Sequence, residues 1–169
     1  GALMGPGSAT PAVVTGAVGP YRLNDGDVLF LMVDGAVAAG ATFNGQPAVA
    51  QAASSGPFAL SDGQTLTLQV DTGPEQTIVF EAAAFADIAA ATAEEVAAVI
   101  NAQIDQAKAL LQAGTPAIAS DSKGTASQVH VTGGDANAEL GFPTTPVAGA
   151  GNVADLRAVT VAEVKALLE

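Results

Sequence analysis

Residues able to do chemistry are scarce in this chain. It holds one His, no Cys and no Trp, which removes thiolate zinc sites, disulfide frameworks, cysteine nucleophiles and multi-histidine metal centres. The densest set of oxygen donors is Asn24-Asp25-Gly26-Asp27. Closely spaced carboxylates suit Ca²⁺, a hard cation that takes oxygen ligands, but the loop length and closing Glu of an EF-hand are missing. Asp25 and Asp27 are therefore weak metal candidates and better read as turn residues that accept from nearby backbone amides. Asp34 and Asp71 fall at two hairpin tips and read the same way. Glu94-Glu95 resembles a carboxylate pair, yet consecutive helix positions point about 100° apart. His130 alternates with Val129 and Val131, as a solvent-facing strand residue would, and no activated nucleophile lies near it. Gly133-Gly134-Asp135 is followed by no Lys and opens no helix, so it is not a phosphate loop. The expectation is a protein that is not an enzyme, with no catalytic residue and no cofactor.

Charge narrows the partners. Seventeen acidic residues against five basic ones give a net charge of −12, which opposes nucleic acid and anionic membrane surfaces. The longest run of large apolar residues, Val28–Val33, is far short of the roughly 20 needed to span a bilayer. Leu, Ile, Val and Phe number 42, enough to build a core and too many for a disordered chain. Gly, Pro, Ser, Ala and Thr dominate the opening stretch, and a flexible leader is expected over residues 1–18.

The elements that must position any site are repeated. A shift of 37 places Gly19–Phe43 on Gly56–Phe80 without a gap, with ten of 25 positions identical and none of them an Ala–Ala match. They include Pro20/Pro57, Asp25/Asp62, Gly26/Gly63, Leu29/Leu66, Leu31/Leu68, Val33/Val70 and Phe43/Phe80. A weaker, Ala-rich match at a shift of 68 puts Phe85–Asn101 on Val153–Glu169, pairing Asp87/Asp155, Thr92/Thr160, Glu95/Glu163 and Val96/Val164.

Each 37-shifted copy reads as a β-hairpin. Thr65–Val70 alternates, placing Leu66, Leu68 and Val70 on one face, and Asp71-Thr72-Gly73-Pro74 is turn chemistry. In the earlier copy Val28, Phe30 and Met32 stand where Thr65, Thr67 and Gln69 do. That strand is apolar on both faces and is expected to be covered on both, as a central strand or by a helix or a neighbouring subunit. Thr92-Ala93-Glu94-Glu95 is a capping box. The stripe Val96, Val99, Ile100, Ala107, Leu110 and Leu111 predicts a helix running to about Ala113, stopped by Gly114 and Pro116. Thr160-Val161-Ala162-Glu163 repeats the box before Val164, Leu167 and Leu168. Ala117–Ser120 and Gln128–Thr132 read as a further strand pair, and 135–152 as loop.

The fold class expected is α+β: mostly antiparallel sheet from two duplicated hairpins and a further strand pair, with one long and one short helix packed on it. The organisation expected is a first hairpin copy over 19–45, a hairpin-helix-strand module over 56–134, and the start of a second, incomplete module over 153–169. Val164, Leu167 and Leu168 need a docking surface, because so short a helix is marginal alone. They are expected to satisfy, and be satisfied by, the surplus face of Val28, Phe30 and Met32, within the chain or across a subunit boundary, with the natural protein continuing past Glu169 or using that end for assembly.

The strand pair followed by Glu95-Val96 and Val99-Ile100-Asn101, then Ala119-Ser120, Gly124, Ser127 and Val129-His130-Val131, resembles the flagellin hook IN motif over roughly residues 76–134. Similar modules occur in bacterial surface filaments and in bacteriophage tail, baseplate and fibre proteins. The resemblance implies a structural or display module, in a virion or extracellular, partnered by other copies of itself or neighbouring structural proteins, and carries no catalytic residue. The alternative from another class is a secreted carbohydrate- or Ca²⁺-binding module.

Overall fold

The computed structural model describes residues 15–169, so most of the leader expected over 1–18 lies outside the described residues. In chain order these form β1 (Asp27–Val33), β2 (Ala36–Phe43), β3 (Gly45–Gln46), β4 (Val49–Gln51), β5 (Gln64–Val70) and β6 (Glu75–Phe80). Then come α1 (Ala93–Asn101), β7 (Ala107–Gln112), β8 (Thr115–Ser120), β9 (Gln128–Gly133), α2 (Asn137–Leu140), β10 (Val147–Ala148), β11 (Ala150–Gly151) and α3 (Val161–Leu168). The class is α+β, as expected, with 17% helix and 38% strand in several antiparallel sheets.

Alternation in the sequence becomes burial. Leu66, Leu68 and Val70 on β5 are fully buried, as are Ile78 and Phe80 on β6, and they meet Val96 and Ile100 of α1 in the larger of two apolar clusters. β5 lies between β6 and β9 in the sheet β10-β9-β5-β6, while β8 lies between β4 and β7. The strands expected at 117–120 and 128–132 are thus present but do not pair with each other. Their connection is held open by Asp71, whose Oδ1 accepts from the Ser122 hydroxyl at 2.9 Å and the Gln128 amide at 2.8 Å. The stretch 135–152, read as loop, contains α2, β10 and β11.

The long helix is shorter than expected. α1 ends at Asn101, and residues 107–112 form β7 instead. Asn101 diverts the chain: its side chain donates to the Ala109 carbonyl and accepts from the Ala109 amide, both at 2.8 Å. Gln76 holds the next turn by accepting from the Asp105 amide at 2.7 Å. Ala113 and Gly114, with φ of 51° and 82°, then make a two-residue hairpin turn of the kind that needs positive φ. Gly114 is a strand turn, not a helix stop.

The duplication is exact in its hydrogen bonds. Phe58 and Ala91 exchange backbone bonds of 2.8 and 2.9 Å, and so do Tyr21 and Val159. The Leu60 amide donates to the Ile88 carbonyl at 3.0 Å, and the Leu23 amide to the Leu156 carbonyl at 2.8 Å. Each pair is related by 37 in its first member and 68 in its second. Residues 19–43 and 153–169, which the sequence assigned to separate modules, therefore pack as one copy (copy A), and 56–101 as the other (copy B). In chain order, everything between Phe43 and Val153 is inserted between the two segments of copy A.

Both capping boxes are complete. The Thr92 hydroxyl accepts from the Glu95 amide, whose carboxylate accepts in return from the Thr92 amide, and Thr160 and Glu163 do the same. Thr92→Ala is expected to cost about 1 kcal/mol of stability. An unchanged urea midpoint would show the cap to be idle.

Acid should attack these same caps. Hydrogen bonds from the Ala86 amide, then the Thr92 amide and hydroxyl, hold the Glu95 carboxyl below its ordinary value of 4.5. At Glu163 burial works against the shift, but bonds from the Ala154 and Thr160 amides and the Thr160 hydroxyl outweigh it. Asp135 is lowered chiefly by the Thr65 amide. A carboxyl lowered in the folded state contributes stability that is complete above its unfolded value and is lost as pH falls through the folded one. Stability should accordingly drop below pH 4.5, and Glu95→Gln should flatten that drop. Urea midpoints measured for both proteins from neutral to acid pH check it; parallel profiles would refute the assignment.

Candidate assembly surface

β1 is built as β5 is, but its surroundings differ. Leu29 packs against the smaller apolar cluster, where Val164, Leu167 and Leu168 of α3 close over Ala41, Phe43, Val153, Leu156 and Val159. The helix residues expected at an assembly surface are thus half-buried against copy A's own cluster. They sit on the Leu29 face of the hairpin, because α3 occupies the place that α1 occupies in copy B.

The other face of β1 is bare. Phe30 is 61% and Met32 62% exposed, with Val28 and Val37 beside them. The Phe30 ring lies across Gly40 of β2, where an added Cβ would come within 3.0 Å of it. One expectation is corrected here. Within the chain β1 is not a central strand covered on both faces, since it pairs only with β2 in a two-stranded sheet. The Val28, Phe30 and Met32 face is turned mostly to solvent, although Val28 and Met32 also line one groove with Val161, Val164 and Leu168 of α3.

Towards its tip even the inner face of β1 opens. Leu31 is 41% and Val33 60% exposed, whereas their equivalents Leu68 and Val70 are at 0%. In copy B those two positions pair with β9, Leu68 with Val131 and Val70 with Val129. No described residue takes that place beside β1. The result is a groove of about 940 Å³ between β1 and α3, whose lining runs from Val28 to Val33 on the strand, Phe30 excepted, and includes Val161, Val164 and Leu168 on the helix. The sequence held one signal for it: Leu31 and Val33 match Leu68 and Val70.

The weak metal candidates are engaged in the backbone. Asp25 accepts from the Gly45 amide at 3.0 Å and the Gln46 side-chain amide at 2.9 Å, as Asp62 accepts from the Ala82 amide at 2.7 Å. Asp27 accepts from the Asn24 amide at 2.7 Å. Gln64, its uncharged equivalent, accepts from the Ser61 amide at 2.9 Å, so this position requires an acceptor and not a charge. Among the described residues no three Asp, Glu or His side chains gather as a metal site would need. Asp34 and Asp71 do sit at hairpin tips, with φ of 51° and 50°. His130 is half-buried on β9, its Nε2 3.2 Å from the Thr144 carbonyl. It is less open than the sequence suggested, and no nucleophile is bonded to it.

Gly134 serves the backbone rather than a phosphate. Its φ is +96°, and an added Cβ would lie 2.3 Å from the Thr65 carbonyl oxygen. Asp135 next to it accepts from the Thr65 amide. The double glycine thus lets β9 turn tightly against β5.

Set against protein-family models, curated proteins and solved structures, the chain finds no match.

Proposed function

We propose that this chain is a non-enzymatic structural module, used for assembly or display in a bacteriophage tail, baseplate or fibre or in a bacterial surface appendage. The observation that carries the reading is the apolar, solvent-facing strand Val28–Val33, set where copy B has the half-buried polar residues Thr65, Thr67 and Gln69. Contiguous exposed apolar surface of this kind marks an interaction site in a folded protein. The resemblance to the hook IN motif supports the same reading, and the net charge of −12 keeps free copies apart until short-range contacts take over.

Immunogold electron microscopy with an antibody to the purified chain tests it, using phage particles and cell surfaces from the source organism. Labelling at regular positions on particles or filaments is the expected result. Label confined to soluble material would overturn the reading. The rival carbohydrate- or Ca²⁺-binding module would show itself in a calorimetric titration. With Asp25 and Asp27 committed to backbone amides, we expect no micromolar Ca²⁺ affinity.

A further inference from the structure

Free strand edges recruit other strands unless something blocks them. In this chain most are blocked. β6 carries Glu75, and Gln103 occupies its outer side by accepting from the Val79 amide and donating to the Val79 carbonyl, both at 2.9 Å. β7 carries Lys108. β2 is uncharged but presents mostly Ala and Gly. β1 alone offers six consecutive large apolar residues, Val28 to Val33, with no charge and no described partner on its outer side.

Copy B shows what this slot is made for. There β5 takes β9 as an antiparallel neighbour, with Leu68 opposite Val131, Gln69 opposite His130 and Val70 opposite Val129. The equivalent rungs on β1 are Leu31, Met32 and Val33. A second copy of this chain offers an uncharged apolar edge of the same length, and an antiparallel pair of identical strands closes on itself about a two-fold axis.

We propose that two copies associate through their β1 edges, forming a continuous antiparallel sheet β2-β1-β1-β2 with the strand pair centred on Phe30. Each Phe30 then faces its counterpart, Val28 faces Met32 and Leu29 faces Leu31, so the five central rungs are apolar against apolar on both sides of the sheet, and Asp27 meets Val33 only at the two ends. The two-fold axis of such a pair stands normal to the sheet. Both α3 helices therefore lie on one side, and the two grooves lined by Leu31 and Val33 open into each other and fill. This deepens the assembly reading, on which it rests, by naming the partner and the contact.

Light scattering from low to high micromolar concentration, with hydrogen exchange of the β1 amides, tests the contact on the purified chain, independently of where the protein resides. The expected result is a dimer whose β1 amides gain protection as concentration rises. Leu31→Lys, at a position already exposed, should weaken the dimer by about tenfold or more. Val37→Lys, on the bare face and away from the edge, should leave it intact. A monomer at every concentration overturns the proposal, whether β1 exchanges fast or is shielded by its own chain. A dimer broken by Val37→Lys and indifferent to Leu31→Lys also overturns it, because the faces and not the edges would then be joined.

Discussion

Phe80→Ala should destabilise the whole chain by about 3–5 kcal/mol, the usual cost of removing a fully enclosed aromatic ring. Phe43→Ala, at the duplicated position, should leave most of the chain folded. Both rings are buried, at 0% and 2% exposure, so exposure alone predicts equal effects. The difference lies in what each ring holds. Phe80 stands in the larger cluster with Leu66, Ile78, Val96 and Ile100, 6.3 Å from the Phe85 ring, and joins the β5–β9 sheet to α1. Phe43 belongs to a cluster of five buried residues that fastens the β1–β2 hairpin to Tyr21 and Leu23, residues 153–159 and α3. A cavity there can be relieved by local opening, whose free energy is capped by the stability of that unit. Urea unfolding followed by circular dichroism, with hydrogen exchange read separately over 27–43 and 64–80, distinguishes the two. Equal midpoint shifts and equal loss of protection in both hairpins would show the copies to be one cooperative unit.

How much of this was legible in the sequence follows from the reach of each interaction. The hairpins were legible because their determinants are local: alternating residues, Asp-Gly turns, and identities that recur at a shift of 37. The capping boxes were legible because Thr92 and Glu95 lie one turn apart. The end of α1 was not. Ala107, Leu110 and Leu111 continue the helical phase, and the residues that stop it act from outside the segment, Gln76 from β6 and Asn101 through a bond to Ala109. The pairing of β8 with β4 and β7 was equally hidden, since β4 is only three residues long and carries no alternation of its own.

The candidate surface was half legible. Val28, Phe30 and Met32 could be named because the duplicate supplies a polar control at each position. Val164, Leu167 and Leu168 pack on the Leu29 side of the hairpin, and Val164 and Leu168 share only the groove with Val28 and Met32. The sequence shows that a short amphipathic helix needs cover, but not on which side of the hairpin it lands. Only the joining of residues 19–43 with 153–169, through Tyr21–Val159 and Leu23–Leu156, places α3 on the Leu29 side.

That placement defines what removing the last helix should do. Deleting Val161–Glu169 strips Val164, Leu167 and Leu168 from Phe43, Leu156 and Val159, and removes the Glu163 carboxylate that accepts from the Ala154 amide at 2.7 Å. Full burial of such side chains is worth roughly 1.5–3 kcal/mol each, and these three are half-buried, so the helix contributes a few kcal/mol to copy A. The β1–β2 hairpin has little else to stand on, because a two-stranded hairpin is marginal by itself in water and its outer face is already bare. The truncated chain should therefore lose exchange protection across 27–43, expose both faces of β1 and aggregate, while the Leu66–Phe80 core stays protected. Copy B should survive because none of the deleted residues belongs to its cluster. Size by light scattering, the melting curve and exchange over the two hairpins read these effects separately. A truncated chain that stays soluble, with unchanged size and melting temperature, would mean that the hairpin is held by contacts other than α3.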